Sequence, residues 1–546
     1  MQSAFSEYYS DYLTTSYDCV DRIVLNAYYI RGCIPGGFRL MWRDLYGSDE
    51  NLDNTHLMRL AQRTGRRIRA FAKENDIPVI DTRAKERKDE IASNYIPNDS
   101  SFTGLFLILV GRAPASVWDV QHTKDGKIKN IARKKQAAFV NHYHFHIMDP
   151  EWGHIIIRLC GHPPFSAQII LNGHEYVAYH ARKLGIEFTK EDNCFTDIAD
   201  AARLFKVADT LSQNGATGRL SQVCERWLYT SCLCFALTSD EQKRCEFSYQ
   251  YSVYQAEYSR NLLFKRGSDM DQVFHGIVDR TRRTVAVKTL KTIFGAKHRP
   301  HQNRKKKARV EVVIERPTYD LTVFKLHFDK LTAKIYTKGE HVLRVEVIIH
   351  NARAMKLGVS LPKFAEIIQR LQGILERFLD TIHWMDTAAI ADSTIDDLPK
   401  SSQVGASRVG GIDINKHRTR LVMEAVIELS TQPYGFTSSQ LAEKVQERLV
   451  NIDYTPKKAA YDLKKLRAKE LVSKGEKSRK YVATQYGLRT MVALLTLREK
   501  VIKPILTASC KTTKRRQPKN QSPLDVAYKH IQDDMISLFS VVGIAV

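Results

Sequence analysis

The sequence predicts a multidomain α+β protein, with antiparallel sheets that carry packed helices and a helical module near the C-terminus. Three observations predict it. The chain has 546 residues, several times the roughly 150 of a typical domain. Two stretches, beginning near residues 100 and 309, contain short runs rich in β-branched and aromatic residues, split by Gly, Pro and Asp. Elsewhere apolar residues recur at helical spacing. With 43% hydrophobic and 26% charged residues, the chain has enough apolar material for a packed core and does not resemble a disordered polymer.

Residues 1–98 read as a basic helical region. In THLMRLAQRTGRRIRAFAKEN, Leu57, Leu60, Ala61, Ile68 and Phe71 form an apolar stripe, while Arg63, Arg66, Arg67, Arg69 and Lys73 cover much of the remainder. That face reads equally as solvated or as phosphate-facing. Residues 99–195 read as an antiparallel α+β unit built on GLFLILVGR, FVNHYHFHIMD, GHIIIRLC and SAQIILNG. The turn DPEWG is short enough to join two antiparallel strands, and HEYVAYHARKLG is a helix stopped by Gly185. Residues 196–295 read as mainly helical. A second antiparallel unit is expected over 296–386. It opens with the basic break AKHRPHQNRKKKAR, which holds Lys305 and Lys306, and closes with a long amphipathic helix from Leu361. Residues 387–416 read as a linker, 417–510 as a compact helical module, and 511–546 as a basic tail, with Arg515 and Arg516, followed by a terminal helix.

Charge narrows the function. Eighty-four Lys and Arg against 60 Asp and Glu leave +24, a self-repelling excess that nucleic acid would neutralise. DNA is the first expectation and RNA the alternative. The longest apolar run, Leu105 to Val110, is strand-length, so no membrane span is expected. The first residues, MQSAFSEYYSDY, do not read as a secretion signal. Nine cysteines, an odd count with no CxxC pair, argue against a disulfide framework or a Cys-rich zinc site. A reduced cytoplasmic protein is the expectation.

Within 417–510, RTRLVMEAVIELS is a helix, and TSSQLAEKVQERLV a second one with hydroxyl residues at its start. Thr455 and Pro456 open a third, PKKAAYDLKKLRAKE. Two short strands flank the basic turn SKGEKSR. This order resembles the winged helix-turn-helix family over about 415–490. The resemblance implies that the third helix, with Lys457, Lys458, Lys464 and Lys465, enters the major groove. The hairpin tip, with Lys474, Lys477, Arg479 and Lys480, would lie against phosphates. The alternative is a winged helix used for protein contacts. The helix after the wing could pair two copies into a homodimer.

Three patterns carry candidate chemistry. The strand NHYHFHIMD sets His142, His144 and His146 on one face, and His144–Phe145–His146 resembles the His-hydrophobic-His motif of rolling-circle nickases and relaxases. Such imidazoles could hold a divalent metal, or could simply be residues that favour strands. In YQYSVYQAEYSR, Tyr254 and Tyr258 stand four apart, as on one helical turn, beside Glu257. Paired tyrosines after a His-hydrophobic-His strand are the order of replication initiators that form a 5′-phosphotyrosine. An aromatic core or base-stacking surface is the other reading. Finally, LTAKIYTKGEHVLRVEVIIHN is similar to the Y-x-K…LR-x-E segment of gene-II-type phage and plasmid replication proteins, with Tyr336, Lys338, Arg344 and Glu346 at the matching places. Thr337 stands where that family often has an acid.

An inward Glu346 on a central strand is costly without a cation, so it is expected to hold a metal or orient water. Glu175 at a helix start and Asp192 are further acids. Convergence of several of these with Glu257 would make a carboxylate-based Mg2+ or Mn2+ nuclease with no tyrosine nucleophile. No P-loop, kinase set, GxSxG or HExxH occurs. The whole also looks like large bacterial proteins carried by mobile elements, which implies a nucleoid-associated location. The expectation is a metal-dependent DNA endonuclease or nickase, with Tyr254 or Tyr258 as nucleophile, Glu257 and Glu346 as catalytic acids, and His144, His146, Glu175 and Glu346 around the metal. Arg66, Arg67, Lys338 and Arg344 join the basic residues above as nucleic-acid contacts. The rival is a DNA- or RNA-binding protein without catalysis.

Overall fold

A computed structural model describes residues 4–83, 86–99, 101–191, 193–213, 215–284, 291–294, 309–314, 322–328, 330–386, 392–405, 407–432, 434–449, 453–475 and 478–499, with a few positions between 526 and 537. The chain divides into two compact units. One comprises Tyr9–Phe274 and Lys291–Leu375, the other Met1–Tyr8, His275–Leu290 and Glu376–Val546.

The first unit holds a single twelve-stranded sheet. Its first six strands are β1 (Leu13–Tyr28), β2 (Val79–Asp81), β3 (Gly104–Ala115), β4 (Ala138–Asp149), β5 (Gly153–Cys160) and β6 (Ala167–Asn172). The other six are β7 (Gln250–Phe264), β8 (Lys291–Phe294), β9 (Arg309–Ile314), β10 (Thr322–Phe328), β11 (Leu331–Lys338) and β12 (Val342–Ile349). Across the sheet they run β8-β9-β10-β11-β12-β7-β1-β6-β5-β4-β3-β2. The order reads the same from either edge. In each half the first strand lies at the centre, the last strand lies beside it, and the others proceed outward in reverse. The outermost pairs, β2/β3 and β8/β9, are parallel, whereas every other pair is antiparallel, including the central β1/β7. One β-rich motif is thus laid down twice, and the copies join along their first strands.

The two sheet units expected at 99–195 and 296–386 are therefore parts of one sheet, and the strands that fuse them are those read as helical. In β1, Val20, Ile23, Val24 and Ala27 fall at the spacing of a helix face, with Leu25 and Asn26 also buried between them. One extra β1 residue between Val20 and Ile23 breaks the alternation that marks a strand. From Ile23 to Ala27 both faces of this central strand are buried, so no alternation shows there. A second bulge falls on β7, where Tyr254 is the extra residue opposite the consecutive Val24 and Leu25, and it disguises that strand.

Helices pack on this frame. Helix α1 (Asn54–Glu74) starts at Asp53, whose carboxylate accepts from the His56 backbone N–H. It buries Leu57, Leu60, Thr64, Ile68 and Ala72. Helix α2 (Gly173–Lys183) follows β6 directly, with Asn172 as its N-cap. Gly173 has a packing reason. A Cβ there would lie 1.8 Å from the Val20 carbonyl oxygen, so any side chain would push the helix end off β1. After β12 comes a long helix, α3 (Phe364–Asp386), whose residues from Glu376 onward belong to the second unit.

In the second unit, α4 (His417–Ser430), α5 (Ser438–Gln446) and α6 (Pro456–Ala468) precede a hairpin of Val472–Lys474 and Tyr481–Ala483, then α7 (Gln485–Leu497). Thr437 and Gln440 form a capping box on α5, and the Thr455 hydroxyl caps α6 with Pro456 in its first turn. Ala459, Leu463 and Leu466 of α6 join a core with Leu421, Val426, Leu441 and Leu471. Part of the expected linker belongs to this unit. Residues 402–404 and 407–409 form a hairpin, and Leu398 and Ile412 are buried in the same core.

Candidate functional site

The centre of the sheet brings Glu257 of β7 and Glu346 of β12 together. Glu346 pairs in register with Ser259 on one side and Lys334 on the other, and Glu257 lies two residues from Ser259, hence on the same face. The two carboxyls are hydrogen-bonded to each other. Burial and the neighbouring Glu346 push Glu257 up to about 8. Burial also opposes ionisation of Glu346, but Lys334 and Arg344 outweigh it and hold that carboxyl below its ordinary value. Lys334 Nζ lies 3.4 Å from Glu346 Oε2, and the Tyr336 hydroxyl donates to the same oxygen at 3.3 Å. Gln255 Nε2 donates to Glu257 at 2.7 Å. Two acids thus share one proton where a cation would let both ionise.

Glu257 opens onto a cavity of about 300 Å³ over the same face, lined also by Arg22, Asn172, Asn193, His154 and Asp89. Arg22 is exposed there and draws the Glu257 pKa down against the larger effects of burial and Glu346.

Behind the carboxylates lies a second buried network. The Arg344 guanidinium donates to Asp21, to the Asn193 carbonyl at 2.6 Å and to Asn261 at 3.3 Å. His174, at the start of α2, sets Nδ1 2.7 Å from the other Asp21 oxygen, to which Ser259 donates at 3.2 Å. Donor atoms of Cys19, Asp21 and His174 lie within 4.8 Å of one another, close enough to hold a metal ion. Their chemistry suits Mg2+ or Mn2+ poorly. Both Asp21 oxygens are engaged, a guanidinium already supplies the positive charge, and burial holds the Cys19 thiol well above its ordinary pKa. Arg344 was expected to meet nucleic acid. It is fully buried and cannot. Lys338, half-buried, donates to Asn193 Oδ1.

The histidine strand lies on the same face but elsewhere. His146 connects in register through Ile156, Ile170 and Val24 to Gln255. At about 4.8 Å per strand, that places it roughly 19 Å from β7 and 24 Å from β12. His144 and His146 therefore share no ion with Glu257 or Glu346. Burial, then the surrounding cations and histidines, hold His142 down to about 4, His144 to about 2 and His146 to about 3. His144 Nε2 sits 3.1 Å from the Lys88 ammonium, an unfavourable neighbour for a metal, and His146 Nδ1 sits 3.0 Å from His154 Nε2. Glu175 pairs with Lys190 at 2.8 Å.

The tyrosines occupy a strand, so their four-residue spacing is not one helical turn. Tyr258 is buried on the opposite face, and its hydroxyl donates to Asp18 at 3.0 Å. Tyr254 is exposed and lies near Arg158 and Tyr28. The tyrosine that touches the acids is Tyr336.

Among basic candidates, Arg66 is exposed, while Arg67 lies 3.8 Å from Glu241. Lys457, Lys458, Lys474, Arg479 and Lys480 are exposed, and Lys464 and Lys465 are half-buried. Asp192, Lys305, Lys306, Lys477, Arg515 and Arg516 lie outside the described residues. Sequence reading missed Asp21, Arg22, His174 and Asn193. No spacing marks them, because β1 and the start of α2 meet only in the folded sheet.

No family model matches the chain, and no curated protein does. Among solved structures it is similar to a rolling circle replication initiator protein from Geobacillus stearothermophilus, at 8% identity and a TM-score of 0.20, over 66% of this chain and 85% of that one. A likeness that weak transfers no residue's role. Among the described residues, no helix is long and apolar enough to cross a membrane.

Proposed function

We propose that this chain is a nucleic-acid-binding protein that cuts DNA with the help of a divalent cation, a nuclease or nickase of replication-initiator type. The observation that carries the proposal is the hydrogen-bonded Glu257–Glu346 pair, of which Glu257 lines a cavity that also presents Arg22. Such a pair is costly when buried unless a cation offsets it. Glu257 and Glu346 would hold Mg2+ or Mn2+, which when bound stabilises negative charge developing on a phosphate.

The chain's own groups supply the rest. Arg22 would bind a phosphate oxygen at the cavity. Tyr336, whose hydroxyl burial and Glu346 keep protonated, needs a base to attack. Glu346 accepts its proton, the phenolic oxygen bonds to phosphorus, and the bond to the 3′-oxygen breaks; that oxygen takes a proton from solvent, leaving a 3′-hydroxyl and a 5′-phosphotyrosine. In the second unit, the three helices and hairpin would act as a winged helix, with Lys457 and Lys458 of α6 toward the groove and Lys474, Arg479 and Lys480 toward phosphates. The bacterial, nucleoid-associated setting belongs to the same reading.

The rival is a DNA- or RNA-binding protein without catalysis. One contact favours it, since Lys334 already stands 3.4 Å from Glu346 and could make the acid pair purely structural. End-labelled single- and double-stranded DNA incubated with Mn2+ separates them. Cuts lost in Glu257→Gln support the nuclease, and a covalent adduct lost in Tyr336→Phe but kept in Tyr254→Phe identifies the nucleophile. Gel shifts without cleavage in Mg2+ or Mn2+ support the rival.

A further inference from the structure

A cavity of about 630 Å³ in the first unit lies away from the carboxylate pair, between α1 and the strands β3 and β4. Its volume is within the range of small-molecule sites, roughly 300–1,000 Å³. Its lining is one-sided in charge: Arg66, Arg69, Arg112 and Lys134 contribute, and no Asp or Glu does. Arg69 is held by Asp81 at 2.8 Å and Arg112 by the Phe139 carbonyl at 3.1 Å. Arg66 and Lys134 are exposed and make no ion pair among the described residues.

The walls are apolar and aromatic. Phe139 is 62% exposed and Met58 52%, both facing this space. Large apolar groups left in water beside unneutralised cations suit a ligand that is both flat and anionic. Trp118 in the wall is held from behind: the Arg133 guanidinium stacks 3.7 Å from its ring, and its Nε1 donates to the Gly32 carbonyl at 3.1 Å. Gly65 brings bare helix backbone to the floor, because a Cβ there would stand 2.7 Å from the Tyr143 hydroxyl. Gln62 and Asn141 add neutral amides at the rim, able to meet base edges.

We propose that this cavity takes one nucleotide unit of a single-stranded nucleic acid, its base against Phe139 and Met58 and its phosphate on Arg66 and Lys134. A paired base in a duplex is stacked on both faces, so the site selects unpaired strand. The inference goes beyond the proposed cutting reaction and does not require it.

The test uses the full chain carrying Glu257→Gln, without divalent metal, so that binding is read whether or not the protein cuts. The probe is a fluorescein-labelled 12-mer of deoxythymidine, followed by anisotropy, with Trp fluorescence as a second signal. Adding Phe139→Ala should weaken binding about tenfold, the loss expected for one stacked base. Arg66→Ala with Lys134→Ala should flatten the log affinity against log salt by about 1. Ala61→Trp, which fills the cavity, should act like Phe139→Ala, and circular dichroism melts establish that each variant folds. Unchanged affinity in both Phe139→Ala and Ala61→Trp overturns the proposal. Displacement of the oligonucleotide by free dTMP at an equal concentration would assign the cavity to free nucleotides and overturn the strand assignment. Absence of Mn2+-dependent cutting in the parent chain would sink the nuclease reading alone.

Discussion

The two halves of the sheet share a strand order and differ in what they bury. In the half made of β1 to β6, the common face carries His142, His144 and His146, with Lys88 and Arg158 among them. Burial keeps these imidazoles neutral. In the half made of β7 to β12, the same face carries Glu257 and Glu346, with Lys334, Tyr336 and Arg344, and there acids face one another and share a proton. A repeated backbone topology therefore does not repeat chemistry. Neutral imidazoles tolerate a dry surface at modest cost. Paired carboxyls do so only with a cation or a shared proton, which makes the second half the reactive candidate.

The largest expected effect is on catalysis. Glu257→Gln should lower Mn2+-dependent cleavage by about 10³-fold or more, on the scale of losing a principal electrostatic group, whereas His144→Gln in the other half should leave the rate within a few fold. Equal losses would erase the distinction between the halves, and the readout is the single-turnover cleavage rate. Next comes stability. Arg344→Leu strands the Asp21 carboxylate in the interior and should cost about 3–5 kcal/mol in urea unfolding. His144→Leu should cost no more than about 1.5 kcal/mol.

The pH dependences should run in opposite senses. Glu257, raised to about 8 in the fold against about 4.5 unfolded, binds more protons in the folded state between those values. Its contribution is whole below pH 4.5 and is lost as pH climbs through 8. The histidines are depressed to between about 2 and 4, so the unfolded chain binds more protons below its own pKa near 6.5. Their contribution is whole above that value and is lost on acidification. Melting temperatures of the metal-free protein across pH 4 to 9 should fall at both ends, and Glu257→Gln should remove only the alkaline fall. Mn2+ affinity, which requires Glu257 to ionise, should rise about tenfold per pH unit up to about 8 by calorimetry. The smallest expected effect concerns the second unit. Lys457→Ala should weaken duplex binding uniformly across sequences and reduce the salt slope by about 1.

Much was legible from local pattern. The helical module shows its caps at Thr437, Thr455 and Pro456 and its inward residues at Ala459, Leu463 and Leu466. The His strand declared itself through unbroken alternation in NHYHFHIMD. Strands β1 and β7 did not, because a bulge turns period two into something close to a helix period. That one ambiguity hid the fusion of two sheets into one and made Tyr254 and Tyr258 look like neighbours on a face. Glu257 and Glu346 were both visible as acids on ordered elements.

The amino-acid pattern by itself determined the positive charge, the helices and most strands, since each depends on residues within a few positions of one another. Only the tertiary structure decided which groups meet. Register across β1, β7 and β12 separates the histidines from the acids, sends Tyr258 to the far face and buries Arg344 against Asp21. Those outcomes rest on hydrogen bonds between segments as much as 323 residues apart, and no local spacing encodes them.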